Sequence, residues 1–202
     1  MIHLLLLLAC RPDPGAPSYP DPGADTDDSG GGYLPGPDPY EDGDARLSLG
    51  IFYEGEASET VLIDNDSAFF YIYESSFSVV PSDTFIEGFA SDQVVVSRDT
   101  WWGGGIHWNE GRDLSAYTHM VVHLRSDDIA DIEIGMRGTN EAKLAASAYG
   151  FTSDGEWHQL AIPLADFSGV NLGAVDIPLI LAGTGNSTGA SLLIDDLYLE
   201  AR

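Results

Sequence analysis

Polar and aromatic side chains recur at every second position through the middle of the chain. Thr118–Arg125 sets Met120, Val122 and Leu124 on one parity and His119, His123 and Arg125 on the other. Ala130–Arg137 repeats the pattern, with Ile132, Ile134 and Met136 against Asp131, Glu133 and Arg137. Leu144–Phe151 contributes Ser147 and Tyr149, and the run Trp101-Trp102-Gly103-Gly104-Gly105-Ile106-His107-Trp108 contributes His107 beside two adjacent tryptophans. With the apolar parity turned to a core, the other parity forms a polar, aromatic-edged patch on one sheet. Flat rings stack on the apolar faces of sugars, while guanidinium, imidazole, carboxylate and phenol groups pair with hydroxyls. Trp101, Trp102, His107, His123, Arg125, Glu133, Arg137 and Tyr149 are therefore the candidate residues of a glycan-binding face. Plainer roles stand beside this one. Tryptophans next to a glycine run also plug sandwich ends, and Arg125 with Glu133 makes a cross-strand ion pair.

Catalytic chemistry finds less support. His119 and His123 stand four apart on one face of a strand, but no zinc signature surrounds them. The chain has no Gly-x-Ser-x-Gly and no phosphate loop, and nothing marks a particular carboxylate pair for glycoside hydrolysis. It reads as non-catalytic. Charge narrows the partners further: 33 acidic residues against 8 basic give a net charge of −25, and Lys143 is the one lysine. Nucleic acid is excluded, because phosphate binding needs Lys/Arg clusters. Anionic membrane surfaces and acidic polysaccharides are disfavoured for the same reason, and the charge serves solubility.

The elements that must position these residues are short strands. Beyond the two runs above, the period of two and the intervening Gly, Asp, Asn and Ser turns predict strands over Leu47–Tyr53, Thr60–Asp64, Phe69–Glu74, Thr84–Phe89 and Gln93–Ser97. Further strands are predicted over Gly105–Trp108, Leu144–Phe151, Trp157–Pro163, Val175–Ala182 and Ser191–Glu200, with helical turns at Asp113–Tyr117 and Leu164–Phe167. At least one of Trp101 and Trp102 falls in a loop on this reading, and Trp157 in the core. No long apolar helical stripe occurs. The fold class is all-β, an antiparallel sandwich over 47–202.

Upstream the composition changes. Eight of the eleven prolines lie between Pro12 and Pro39, among glycines and aspartates, whereas all four tryptophans lie beyond Gly50. Such a segment cannot bury enough apolar surface to offset its ordering entropy, so 11–46 is expected to be a disordered linker. Residues 1–10 end in Leu7-Leu8-Ala9-Cys10 after a leucine run, which resembles the bacterial lipobox, whose cysteine receives lipid. Only nine residues precede Cys10, and Met1-Ile2-His3 lacks the usual Lys or Arg. The expectation is an exported protein, anchored through lipid on Cys10 to a bacterial outer membrane or cell surface, with no other membrane contact.

The second half resembles the jelly-roll carbohydrate-binding modules of families 11 and 4, within the galactose-binding-like superfamily. The matching pieces run in order. Asp113-Leu114-Ser115-Ala116-Tyr117 precedes the strand Met120–Ser126; Asp154-Gly155-Glu156-Trp157-His158 leads into Leu160-Ala161-Ile162-Pro163-Leu164 and Asp166-Phe167; Leu193-Ile194-Asp195-Asp196-Leu197-Tyr198-Leu199 closes the chain. The resemblance implies a jelly-roll sandwich, a glycan ligand on one sheet face and a structural calcium. It places a calcium ligand at Asp195 in the last strand, with Asp64 and Asp66 of Asp64-Asn65-Asp66 as early acids; calcium takes six to eight such oxygens. The other reading makes Asp195 and Asp196 strand residues hydrogen-bonded to loops. Two functions stay open: a surface-tethered module that binds glycan, or an adhesion domain that binds a cell-surface protein.

Overall fold

In the run His119–Arg125, Met120, Val122 and Leu124 are fully buried in one cluster with Ile132, Ile134 and Met136 of Ile132–Arg137. Alternation in sequence has become burial in space. The computed structural model describes residues 49–51, 59–61, 66–86, 90–185 and 188–201; Cys10, the linker 11–46 and Asp64 lie outside them. The strands are β1 Leu49–Ile51, β2 Glu59–Val61, β3 Ala68–Ile72, β4 Phe77–Ser82, β5 Ser91–Val96, β6 Trp101–Trp108, β7 His119–Arg125, β8 Ile132–Arg137, β9 Glu141–Ala145, β10 His158–Pro163, β11 Ile177–Thr184 and β12 Ser191–Glu200.

Two sheets result. One is five-stranded, ordered β3-β6-β11-β8-β9. The other has seven strands: β10, β7 and β12 lie side by side, β12 pairs β5 along its first half, and β4 extends β5. Along its second half β12 pairs β1 in parallel, and β2 follows β1; every other ladder is antiparallel. Side chains of both inner faces, Trp102, Ile106 and Trp108 from one and Met120, Leu124 and Ile194 from the other among them, share one core. The fold is the expected all-β sandwich of jelly-roll type.

Three expected elements differ. The glycines of β6 are strand, so the strand begins at Trp101 and no loop precedes Gly105. Two of them are required there: a Cβ on Gly104 would sit 2.3 Å from the Tyr71 carbonyl and 2.8 Å from the Phe77 ring, and one on Gly105 2.1 Å from the Leu179 carbonyl. Of the strand expected at Thr84–Phe89, Thr84–Ile86 are not strand and the rest lies outside the described residues; β4 forms earlier and is a sheet-edge strand, where Pro81 breaks no ladder on its open side. The strand expected over Leu144–Phe151 is β9, starting at Glu141, and it turns at Ala146–Tyr149 into a 3-10 helix ended by Gly150 at φ 98°. Asp113–Tyr117 is a turn, and Leu164–Asp166 a 3-10 helix.

The turn leading into β10 is closed by Asp154. Its carboxylate meets the His158 Nε2 at 2.8 Å, accepts the Glu156 amide at 3.0 Å and accepts the Thr152 hydroxyl at 2.9 Å. The His158 bond first, then the other two, lower the Asp154 pKa to about 2. A depressed carboxylate contributes stability above its unfolded value and loses it as pH falls through its folded one. Amide protection at Glu156 is therefore expected to hold at neutral pH and to fall as pH drops from about 4 towards 2. NMR-detected exchange checks this, and Asp154→Asn should remove the acid dependence.

Candidate functional site

The outward face of the five-stranded sheet is read from the same alternation. On β6 the inward residues are Trp102, Gly104, Ile106 and Trp108, leaving Trp101, Gly103, Gly105 and His107 outside. On β3, Phe70 and Ile72 pack on the core and Phe69 and Tyr71 face out. β8 presents Glu133, Gly135 and Arg137, β9 presents Glu141, Lys143 and Ala145, and β11 presents Ile180, Ala182 and Thr184.

Register sorts these into rows. One crosses all five strands as Tyr71, Gly105, Ile180, Gly135 and Lys143. The next holds Gly103, Ala182, Glu133 and Ala145, with Trp101 opposite Thr184 one step further. On the other side Phe69 pairs His107 and Arg137 pairs Glu141. Side chains are thus absent or small along β6 and at Ala182, and large on β3. The result is a trough floored by Gly103 and Gly105, both buried, and by half-buried Ala182. Its β3 wall is aromatic: Phe69 stacks on His107 with centroids 4.7 Å apart, and Tyr71 meets Tyr73 edge-on at 5.1 Å. Tyr73 leans over the floor, its Cδ2 3.6 Å from where a Cβ on Gly103 would lie. Trp101 closes one end and is 39 % exposed. From Trp101 to His107 the trough is about 20 Å long, six residue steps of a strand.

The opposite rim is ionic. Arg137 grips Asp176 with Nε and Nη2 at 3.2 and 2.7 Å; that bond raises the arginine's pKa and lowers the aspartate's. Lys143 lies across Gly135, its Cγ 2.9 Å from a notional Cβ there, and its Nζ pairs with Glu141 at 3.0 Å. Thr184 donates to Asp131 at 2.6 Å beside Trp101. Tyr71 Oη and His107 Nδ1 are shielded and have no hydrogen-bond partner among the described residues. Burial, then the neighbouring Tyr73 and Glu141, push the Tyr71 pKa well above the phenol range, with Arg137 opposing.

Of the eight residues proposed from sequence, Trp101, His107, Glu133 and Arg137 share this face. The other four lie elsewhere. Trp102 points into the core at 1 % exposure, against Phe77. His123 and Arg125 belong to β7 in the other sheet, where His123 is buried with its Nδ1 3.0 Å from Asp196. Arg125 and Glu133 therefore sit in different sheets and form no cross-strand pair. Tyr149 stands on the 3-10 turn after β9 and donates to Asp166 at 2.8 Å; burial and that bond raise its pKa to about 12. Sequence reasoning missed Phe69, Tyr71, Tyr73, Glu141 and Lys143. The alternation Ala68-Phe69-Phe70-Tyr71-Ile72-Tyr73 carried the signal for the first three.

Of the residues expected to hold calcium, Asp64 lies outside the described residues. Asp195 is buried mid-strand, its Oδ2 accepting the Ile86 amide at 2.7 Å and its Oδ1 the Asp196 amide at 2.9 Å. Asp66 precedes β3 in the other sheet and is exposed. Among the described residues no three His, Cys, Asp or Glu side chains gather to hold an ion, and no role is assigned to one.

Comparison with known proteins adds the following. Residues 53–201 match the sequence model of the family described as Carbohydrate binding domain 30. A family 11 carbohydrate-binding module from Clostridium thermocellum, in complex with a β-1,3-1,4-mixed-linked tetrasaccharide, superposes with a TM-score of 0.51 at 17 % identity, covering 67 % of this chain and 89 % of that one. A family 30 carbohydrate-binding module gives a TM-score of 0.53 at 15 % identity, covering 75 % and 86 %. At these identities the likeness is one of fold. No match was found among curated proteins.

Proposed function

The chain belongs to the Carbohydrate binding domain 30 family, and from that premise we propose that the trough on its five-stranded sheet binds an extended, neutral glycan without cleaving it. The observation that carries the reading is the pairing of an aromatic wall with a floor that lacks side chains. Phe69, Tyr71, Tyr73 and Trp101 offer ring faces and edges, while Gly103, Gly105 and Ala182 keep the floor between the rims low. Sugars have apolar faces ringed by hydroxyls. Stacking on aromatics buries the former, and Glu133, His107, Thr184 and the Arg137–Asp176 pair stand ready for the latter.

Charge favours a neutral ligand. Both cations on the rim already face carboxylates, Arg137 with Asp176 and Lys143 with Glu141, in a chain of net charge −25. A uronate would meet excess negative potential.

Affinity electrophoresis through gels of mixed-linkage β-1,3-1,4-glucan, xylan and polygalacturonate tests the proposal. Retardation by a neutral glycan and none by polygalacturonate is the expected result. A folded protein that no neutral glycan retards, on gels or on an array, would refute it. The tether is proposed on the Leu7-Leu8-Ala9-Cys10 pattern and the linker composition: lipid on Cys10 would hold the domain at a bacterial surface. Mass spectrometry of the native protein finding an unmodified Cys10 would remove that part.

A further inference from the structure

Tyr73 is 47 % exposed at the trough's edge; besides its edge-on contact with Tyr71, its position depends on a turn that contains no buried residue. Tyr73–Ser75 is a single 3-10 turn with no buried residue and no side-chain cap. Its backbone is strained: Glu74 and Ser75 have φ of 49° and 53°, consecutive left-handed conformations at residues that carry a Cβ. Such backbone is costly, and it persists only where surrounding contacts over-determine it. Three contacts do so here, one of them the Ser97 amide donating to the Ser76 carbonyl at 2.8 Å. Buried Ser76 is tied to β6, its hydroxyl donating to the Gly103 carbonyl at 3.3 Å and accepting the Gly103 amide at 3.1 Å. Arg98, in the connection between β5 and β6, spreads its guanidinium over Glu74, Nη1 to the carboxylate at 2.6 Å and Nη2 to the backbone carbonyl at 2.7 Å.

We infer that Arg98 is a positioning residue for the glycan face, clamping a strained left-handed turn so that Tyr73 is held over Gly103. This rests on the reading of the trough as the glycan site. Arg98 acts through Glu74, and the fork matters because one arm fixes the side chain while the other fixes the direction of the carbonyl within the strained turn. An unclamped turn would relax towards right-handed or extended backbone and carry Tyr73 off the floor. The ligand would then have to restore the turn at the expense of its own affinity.

The test measures affinity for a mixed-linkage glucan oligosaccharide by calorimetry, alongside exchange of the Ser76 amide, which donates to the Tyr73 carbonyl across the turn at 2.9 Å. Arg98→Ala is expected to weaken binding roughly tenfold and to speed Ser76 exchange, with cooperative unfolding retained, because the residue is part-exposed. The deciding variant adds Glu74→Gly to Arg98→Ala. Glycine adopts positive φ at little cost, so the turn should re-form without its clamp and both readouts should recover. Unchanged affinity in Arg98→Ala would overturn the inference. So would a double variant that stays weak, which would mean that Arg98 acts directly on the ligand. Wild-type protein that binds no glycan would instead sink the functional reading. Binding that is lost in Trp101→Ala but indifferent to Arg98→Ala would sink only this one.

Discussion

Trp102→Ala is expected to destabilise the domain by about 3–5 kcal/mol, the range for truncating a large buried aromatic. Its neighbour Trp101→Ala should leave stability almost untouched and abolish most of the glycan affinity. Trp102 is 1 % exposed, meets Phe77 edge-on at 5.6 Å, and its indole nitrogen lies 2.6 Å from where a Cβ on Gly183 would stand. The space it leaves can close only in part, because Gly183 on one side is sheet backbone and Phe77 on another is itself held in the core. For a domain of this size the loss corresponds to a fall in Tm of about 6–20 °C. Trp101 sits one residue away on the opposite parity, at the end of the trough beside Thr184. Tryptophans that anchor a ligand commonly carry ~2 kcal/mol, roughly 30-fold in Kd. Thermal unfolding and calorimetry on the two variants check both halves. Equal Tm losses would contradict the strand parity, and full binding by Trp101→Ala would remove the trough's end wall.

That pair also marks what could be read from sequence. Alternation identified β7 and β8 and their core residues correctly, because a strand with one buried face must write a period of two. The same alternation could not say which sheet a strand joins. β7 and β8 follow one another in the chain and carry the same pattern, yet the connection crosses the sandwich, so His123 and Glu133 face opposite sides of the molecule. Only pairing partners separate them. Trp101 and Trp102 were inseparable for a different reason. A glycine run suggests a loop, and within a loop parity has no meaning, whereas here the run is strand and the parity decides everything. Lys143 and Glu141 were lost to a boundary error at the start of β9. Arg98 left no local signal, since its role depends on the conformation of a turn 24 residues earlier.

The glycine floor yields the other large effect, and it separates folding from binding within one strand. Gly105→Ala is expected to be strongly destabilising, on the order of 3 kcal/mol or more. A Cβ there would lie 2.1 Å from the Leu179 carbonyl oxygen and 3.1 Å from the Ile180 Cα. Both are backbone atoms of β11, so relief requires β6 and β11 to part and their ladder to break. Gly103→Ala meets nothing closer than 3.5 Å, at the Leu181 carbonyl, followed by Tyr73 and Ala182 at ordinary contact distances. It should fold with a Tm close to wild type, helped by alanine's smaller conformational entropy in the unfolded chain. Its methyl group nevertheless meets the Tyr73 ring and would shift it from its place beside the ligand. Affinity should therefore fall while stability holds, and Gly103→Val should bind more weakly still. Thermal unfolding and glucan calorimetry read the two effects separately. A Gly105→Ala protein as stable as wild type would contradict the close approach of β6 and β11. A Gly103→Val protein with unchanged affinity would move the ligand off the β6 floor.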